Sequence, residues 1–303
     1  MIYTITLNPS VDYIVELDSL ELGALNRMEN SVKLPGGKGV NVSRILNQLQ
    51  SDNCALGFLG GFTGGFIQDW LADEGSKSAF TQIADDTRIN IKLKHGEETE
   101  INSVGPNITP AEIACFFESF DVMKAGDIAI LSGSIPPSLG SDFYNRIIAK
   151  CESLGVEFII DTTGASLLDT LARKPFLIKP NHHELADLFE TSFSSVEDII
   201  PYGKKCLELG AKHVIVSMAG DGALLFVEDK VYQSNTPKGS VKNSVGAGDS
   251  MVAGFVGTYE KNNDVLEAFR VAVATGSATA FSTDLATYDA IQKLIPEVEI
   301  TEL

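Results

Sequence analysis

Short apolar runs of strand length alternate along the chain with longer segments of helical periodicity. Residues 1–7 read MIYTITL, which is typical of a buried strand, and apolar residues recur at helical spacing through 39–50. Parallel strands are joined by crossover helices that cover both faces of the sheet, so this alternation predicts an α/β fold with a doubly wound, mostly parallel sheet. The predicted strands are residues 1–7, 54–59, 127–132, 156–161, 176–179 and 213–217, followed by a hairpin of 223–227 with 230–234. The predicted helices are residues 39–50, 66–73, 111–123, 142–153, 183–189 and 196–209, with two more from about 247 and from about 264 to 281.

Two stretches depart from this alternation. Residues 11–17 with 27–34 form the first, and in 88–102 apolar and polar residues alternate around a His95-Gly96 turn. They predict a small antiparallel sheet, a β flap formed by about 11–34 and 87–103. An edge hairpin on the main sheet is the alternative. No repeat or linker divides the sequence, so we expect one domain over 1–303.

The charge balance limits the classes of partner. Lys and Arg number 23 against 41 Asp and Glu, a net charge of -18, and no basic run exceeds two residues, so we expect no nucleic-acid partner. No apolar run has the length of a membrane span and the first residues lack a signal-peptide pattern, so we expect a cytoplasmic protein. The four cysteines (Cys54, Cys115, Cys151 and Cys206) form no C-x-x-C pair, which predicts buried thiols in a reducing compartment.

The segment Asn243–Ser250 (NSVGAGDS) precedes the predicted helix at about 247. Its glycines expose amide groups at a helix start, where the partial positive charge favours anions. The amides of Gly246, Ala247 and Gly248 are therefore candidates to hold a transferring phosphoryl group, and Asp249 is a candidate general base for a substrate hydroxyl. A glycine-rich helix start with a first-turn carboxylate and no catalytic role is the alternative.

Five further segments carry candidate ligand-binding residues, each with a purely structural alternative. In PGGKGVNVS at 35–43 the glycines permit close approach of a polyhydroxylated ligand, but the P-loop pattern fails because Gly39 stands where Ser or Thr is required. NPSVD at 8–12 and KPNHHE at 179–184 follow strands, as ligand-binding loops of parallel sheets do. The candidates are Gly37, Lys38 and Asn41; Asp12; Asn181 and Glu184, acting on magnesium through water; Ser217, Gly220 and Gly222, near a nucleotide; and Arg88, Asn90 and Lys92, which share one face of the β flap.

In combination these segments resemble the ribokinase-like pfkB family of sugar kinases. The resemblance covers essentially the whole chain and rests on an ordered set of motifs: NPSVD at 8–12, PGGKGVNVS at 35–43, TRINIKL at 87–93, SGSIPPS at 132–138, KPNHHEL at 179–185 and SVGAGDSMVAGF at 244–255. Met218-Ala219 stands in place of the Leu-Gly more common in the family's nucleotide loop. Family membership implies ATP and Mg²⁺ as cofactors, a small-molecule sugar phosphate as acceptor and a homodimer formed through the β flap.

The resemblance also implies a role for individual residues. Asp249 matches the family's catalytic base, and Gly246, Ala247 and Gly248 match its anion hole. Sugar and sugar-phosphate contacts fall on Asp12, Gly37, Lys38, Asn41, Arg88, Asn90 and Ser134. Nucleotide contacts fall on Lys179, Asn181, Ser217, Gly220, Gly222 and Gly248, and Asn181 with Glu184 matches the motif associated with magnesium.

The β flap segment and the GAGDSMVAGF stretch are most similar to family members that phosphorylate fructose 1-phosphate at C6. We therefore expect an ATP-dependent ketose-phosphate kinase that converts fructose 1-phosphate to fructose 1,6-bisphosphate. Tagatose 6-phosphate and fructose 6-phosphate remain alternative acceptors, because charge does not separate these dianions. A non-catalytic sugar-phosphate sensor on the same fold is the alternative from another class.

Overall fold

The computed structural model describes residues 1–162 and 165–303 of the chain. Two sheets organise this part of the protein, and the expected α/β class is confirmed. The strands are β1 (Ile2–Thr6), β2 (Ser10–Glu16), β3 (Asn30–Gly36), β4 (Asn53–Gly60), β5 (Thr81–Ile83), β6 (Arg88–His95), β7 (Glu97–Asn102), β8 (Ile128–Ser132), β9 (Glu157–Asp161), β10 (Leu177–Ile178), β11 (His213–Ser217), β12 (Ala223–Val227), β13 (Lys230–Ser234) and β14 (Ile300–Glu302).

Helices follow most strands of the larger sheet. They are α1 (Lys38–Gln48), α2 (Gly61–Asp73), α3 (Pro110–Glu118), α4 (Phe143–Leu154), α5 (Ala165–Leu171), α6 (His182–Leu188), α7 (Val196–Glu208), α8 (Ala247–Asn262), α9 (Val265–Ala280) and α10 (Tyr288–Leu294). In the part of the chain that the structure describes, none of them is long and apolar enough to cross a bilayer.

The larger sheet has the strand order β14-β13-β12-β11-β10-β9-β8-β1-β4-β5. From β11 to β5 every neighbouring pair is parallel, and β12, β13 and β14 extend the sheet by antiparallel pairing. One apolar layer packs α3, α4, α6 and α7 on one face, and another packs α1, α8, α9 and α10 on the other. This double burial explains why the central strands read as continuous apolar runs rather than as alternating ones.

The smaller sheet is the predicted β flap, with the strand order β3-β2-β6-β7. Its two outer pairings, β2 with β3 and β6 with β7, are antiparallel, whereas the inner pair β2 and β6 is parallel. In that inner pair Ser10 lies opposite Arg88 and Asp12 opposite Asn90. Because side chains alternate along a strand, these four polar residues share one face of the β flap.

Two expectations from the sequence are wrong in detail. The predicted helix at 66–73 begins at Gly61 instead, since the glycines at 61, 64 and 65 have low helix propensity and conceal its first turns. The cysteines are not all buried: Cys115 is exposed and Cys54 is half-buried, while Cys151 and Cys206 are buried. Cys115 lies on α3, where an apolar stretch of sequence still presents one side to solvent.

Candidate active site

The carboxyl ends of strands β1, β8, β9, β10 and β11 lie along one edge of the large sheet, facing the polar side of the β flap. Between them lies a polar cavity of about 460 Å³. Of the residues singled out from the sequence, its lining includes Asp12, Gly37, Lys38, Asn41, Arg88, Asn90, Ser134, Lys179, Asn181, Glu184, Ser217, Gly246, Gly248 and Asp249. Sequence segments separated by as many as 237 positions (12 to 249) therefore meet in one chamber, as ligand sites of parallel sheets do.

A second cavity of about 420 Å³ adjoins the polar one. Apolar side chains form much of its wall, including Val241, Met251, Val273, Ala280 and Phe281. Gly220, Gly222 and Ala247 line only this apolar cavity, whereas Asn181, Ser217 and Gly248 line both. A ligand with a flat apolar end and a polar end, such as a nucleotide, matches two chambers joined in this way.

Asp249 lies in the first turn of α8, at the floor of the polar cavity. Its carboxylate is buried, and Oδ2 accepts a hydrogen bond of 2.8 Å from Nδ2 of Asn41 on α1. Burial, with a further contribution from the Asp161 charge, raises the pKa of Asp249 from 3.8 to about 6, although Asn41, Lys38 and Lys179 oppose the shift. A carboxylate with a pKa just below neutrality is ionised at pH 7 and still basic enough to accept a proton.

The residues predicted to bind an anion lie at the start of α8. Gly246 caps the helix at φ 79°, a left-handed conformation that favours glycine. The Ala247 amide donates to the Ser244 carbonyl at 3.2 Å, so the first-turn amides left without an intrahelical acceptor are those of Gly248 and Asp249. A Cβ atom on Gly248 would lie 2.9 Å from Nζ of Lys179, which places a buried ammonium group beside these amides.

Lys38 lies close to the carboxylates of this site. Its Nζ contacts Asp161 Oδ2 at 3.0 Å, and Asp161 is the last residue of β9. Burial alone lowers the pKa of Lys38, but the charges of Asp161 and Asp249 outweigh burial and raise it. Lys38 is therefore a cation paired with the buried Asp161, and it is near enough to Asp249 for the two charges to interact.

The β flap contributes a second group of polar side chains. Asp12 Oδ1 accepts hydrogen bonds from Ser10 Oγ at 2.7 Å and from Asn90 Nδ2 at 3.3 Å, and Lys92 Nζ lies 3.6 Å from Asp12 Oδ2. Arg88 donates to the carbonyl oxygens of Asn8 at 3.2 Å and Ser103 at 2.8 Å. Burial lowers the pKa of Arg88, and the Asp12 charge opposes that effect. These contacts orient the polar face of the β flap toward the cavity.

Several buried polar atoms of the cavity wall have no partner among the described residues. They are Oδ1 of Asn8, Oδ1 of Asn90 and Oγ of Ser132. Leaving a buried acceptor or hydroxyl unsatisfied costs about 1–3 kcal/mol. All three residues line the polar cavity, so its wall carries amide and hydroxyl groups of the kind that bind a ligand with several hydroxyl groups, such as a sugar.

Comparison with known proteins agrees with this geometry. Residues 5–290 match the family model described as pfkB family carbohydrate kinase. The chain belongs to the pfkB family. Over 303 residues it is 52% identical to 1-phosphofructokinase of Bacillus subtilis strain 168, with 100% of both chains covered. It is 38% identical over 304 residues to D-tagatose-1-phosphate kinase of Bacillus licheniformis, again with 100% of both covered.

Solved structures share the fold of this pfkB kinase. Phosphofructokinase-2 from Escherichia coli, in complex with substrates and products, is 30% identical with a TM-score of 0.92, and 98% of each chain is covered. Ribokinase from Arabidopsis thaliana, complexed with ribose and ATP, shares the fold at 23% identity with a TM-score of 0.80, covering 97% of this chain and 98% of the other. The large sheet with its β flap is thus the ribokinase-like fold expected from the motifs.

Asn181 and Glu184 have a structural role in addition to lining the polar cavity of this pfkB kinase. Asn181 Oδ1 accepts from the Glu184 amide at 2.8 Å, and Glu184 Oε2 accepts from the Asn181 amide at 2.8 Å. This reciprocal pair is a capping box that fixes the start of α6. A single carboxylate oxygen of Glu184 is used in it, so the pair remains compatible with a role near a solvated cation.

Sequence reasoning missed several residues that line the two cavities. Asp161, Asn8 and Ser132 line the polar cavity, and each follows or ends a predicted strand, which was the available signal. His182 and His183 line the apolar cavity with ring centroids 3.9 Å apart. The adjacent Asn181 and Glu184 were predicted to be site residues, whereas these two imidazoles were not.

Proposed function

We propose that this pfkB kinase is a 1-phosphofructokinase, which transfers the γ-phosphate of ATP to the C6 hydroxyl of fructose 1-phosphate and forms fructose 1,6-bisphosphate. The observation that carries the proposal is the meeting of the two cavities at Gly248, beside the buried carboxylate of Asp249. The identity of 52% to the Bacillus subtilis 1-phosphofructokinase supports this choice of sugar. Tagatose phosphates are the second candidate acceptors, supported by the similarity to D-tagatose-1-phosphate kinase.

In the proposed reaction the base of the nucleotide occupies the apolar cavity and its phosphates extend past Ser217 toward Gly248. The sugar occupies the polar cavity, between Asp12 and Asn90 on one side and Asn41 on the other. Asp249 accepts the proton of the C6 hydroxyl as the hydroxyl oxygen attacks the terminal phosphorus, and the bond from that phosphorus to the bridging oxygen of ATP breaks, so that ADP leaves. The amides of Gly248 and Asp249, with Lys179 beside them, stabilise the charge that spreads over the phosphoryl oxygens.

Magnesium fits the donor set of this site. Mg²⁺ prefers oxygen ligands, keeps several of its waters and is usually held by one or two carboxylates. Glu184 and Asp161 carry carboxylates on the cavity wall, and Asn181 adds an amide oxygen. We propose that Asn181 and Glu184 hold the ion through water. When bound, Mg²⁺ neutralises charge on the β- and γ-phosphate oxygens.

Two further proposals concern the state of the protein. Exposed apolar residues within and around the β flap support a homodimer formed there. They are Leu22, Leu25, Met28, Ile89 and Ile101. A solved form of Escherichia coli phosphofructokinase-2 is described as tetrameric.

The four cysteines are free thiols, which supports a reducing compartment such as the cytoplasm.

The test is a comparison of kcat/KM for fructose 1-phosphate, fructose 6-phosphate, tagatose 1-phosphate, tagatose 6-phosphate and unphosphorylated fructose, measured by ADP release. We expect fructose 1-phosphate to be preferred and fructose to be a very poor substrate, because Arg88 and Lys38 line the polar cavity and can bind an anion. Asp249→Asn is the matched control and should lower kcat by roughly 10²–10⁴-fold. Preference for another ketose phosphate would overturn the assignment of the sugar, and full activity of Asp249→Asn would overturn the mechanism.

A further inference from the structure

Arg44 is a buried cation at which three parts of the protein meet, outside both cavities. It lies on α1 and is 6% exposed. On one side, Nε and Nη2 donate to the carboxylate of Glu74, at the end of α2, at 2.8–3.1 Å. On the other side, Nη1 and Nη2 donate to Asp284 at 3.2 and 2.7 Å. A guanidinium group with two bidentate carboxylate partners fixes both of them in direction as well as distance.

Helix α1 connects Arg44 directly to the catalytic carboxylate. Asn41, three residues before Arg44, donates to Asp249 at 2.8 Å, and Lys38 contacts Asp161 from the first turn of the same helix. Residues three apart lie on neighbouring positions of a helix surface. A shift of α1 at Arg44 therefore moves the donor that orients the general base.

Asp284 belongs to the loop of residues 281–287, which joins α9 to α10 and braces the start of α8. The Leu285 side chain packs against Gly246, where a Cβ atom would lie 2.8 Å from Leu285 Cδ2. A hydrogen-bond chain makes a second connection. In it the Ala286 amide donates to Thr279 Oγ1 at 3.2 Å, Thr279 contacts Ser250 Oγ at 2.7 Å, and Ser250 Oγ donates to the Gly246 carbonyl at 2.8 Å.

We propose that Arg44 is a positioning residue for phosphoryl transfer: through Asp284 it holds the 281–287 loop against Gly246, and through α1 it holds Asn41 against Asp249. The positions of the anion-binding amides and of the base therefore both depend on this one guanidinium group. This inference rests on the proposed role of Gly246–Asp249 in phosphoryl transfer, and it extends that role to residues that touch no ligand.

The test compares Asp284→Asn, Glu74→Gln and Arg44→Lys in the full-length protein, with Asp289→Asn as the control for loss of one exposed carboxylate on the adjacent helix. Asp284→Asn keeps Arg44 paired with Glu74, so the fold should persist. Small misplacements of catalytic groups cost up to about 10²-fold in rate. We expect Asp284→Asn and Arg44→Lys to lower kcat by roughly ten-fold or more, with KM for ATP and for fructose 1-phosphate within about three-fold.

Variants of the two ion pairs, Arg44 with Glu74 and Arg44 with Asp284, distinguish a positioning role from simple stabilisation of the fold. If Arg44 only joined α1 to α2, Glu74→Gln would lower kcat as much as Arg44→Lys, and Asp284→Asn would be silent. We expect the reverse order, with Glu74→Gln affecting mainly the melting temperature and Asp289→Asn affecting nothing. The inference is overturned by a kcat of Asp284→Asn within two-fold of the wild type, or by an equal loss in Glu74→Gln. An inactive wild-type protein would instead reject the proposed function.

Discussion

Replacing Asp249 with Asn should make the protein more stable while it destroys turnover. The carboxylate is buried, and its pKa is raised from 3.8 to about 6, so the native state disfavours the ionised form. Each pKa unit corresponds to about 1.4 kcal/mol. Above about pH 6 the ionised group therefore destabilises the native state by about 3 kcal/mol at most. Asparagine has a similar shape, can still accept from Asn41 and carries no charge.

The sign of the pH dependence follows from proton binding. Between pH 4 and 6 the native state holds a proton on Asp249 that the unfolded chain has released, so wild-type stability falls as pH rises. The gain in Asp249→Asn should grow from about 1.5 kcal/mol at pH 5 to about 3 kcal/mol at pH 7 and then stay constant. The pKa of about 6 on which these values rest already includes the opposing effects of Asn41, Lys38 and Lys179.

The measurement is urea-induced unfolding of wild type and Asp249→Asn at pH 5, 6, 7 and 8, followed by far-UV circular dichroism. Glu208→Gln, an exposed carboxylate on α7, is the matched control and should show no such trend. A difference in unfolding free energy that is absent, or that does not change between pH 5 and 7, would refute the argument that Asp249 is a destabilised, desolvated base. The same samples give the loss of kcat, so both effects are measured on one variant.

Two further predictions concern the nucleotide loop and the β flap. Gly222→Ala should lower the melting temperature by several degrees in differential scanning fluorimetry, because φ is +90° and a Cβ atom would lie 1.9 Å from the Ser234 carbonyl oxygen. Gly220→Ala is the control: its Cβ atom would have no neighbour within 4 Å, so this variant should melt like the wild type. Equal melting temperatures of the two variants would contradict the predicted strain at Gly222. Ile101→Glu should shift the protein toward monomer in light scattering after size exclusion, since this exposed side chain lies on the β flap. Val122→Glu, at a still more exposed position outside the β flap, should not, and an unchanged mass for Ile101→Glu would reject the dimer surface.

The order of strands and helices was predictable because burial on both faces leaves continuous apolar runs. The strand β11 and the hairpin of β12 and β13 have the boundaries expected from the sequence. Short elements such as β5 and β14, with three residues each, were not predicted, since three residues are too few to show the apolar–polar alternation of a strand. The parallel pairing of β2 with β6 joins two strands that are far apart in sequence, so no local pattern predicts it. The single domain over 1–303 remains a prediction.

The candidate site was predictable where a residue's own segment carries the signal. Glycines before a helix, followed by an acid, identified Gly246–Asp249, and polar residues after strands identified Asp12, Lys179 and Asn181. The roles of individual residues in binding and catalysis remain predictions. Sequence reasoning placed Lys38 near the sugar phosphate, but its partner is Asp161, 123 positions away, which no spacing in the sequence connects to it.

The pKa of Asp249 shows why local motifs do not determine the chemistry of such a site. The motif supplies a carboxylate at a helix start, and a nearby helix terminus by itself favours the charged form. The shift in this protein has the opposite sign, because burial and the charge of Asp161 outweigh Asn41, Lys38 and Lys179. These four residues come from three parts of the chain, because Lys38 and Asn41 both lie on α1, whereas Asp161 ends β9 and Lys179 follows β10. The basicity that phosphoryl transfer requires is therefore a property of the assembled fold, and it depends on contacts such as Lys38 with Asp161 and Asn41 with Asp249 that join those parts.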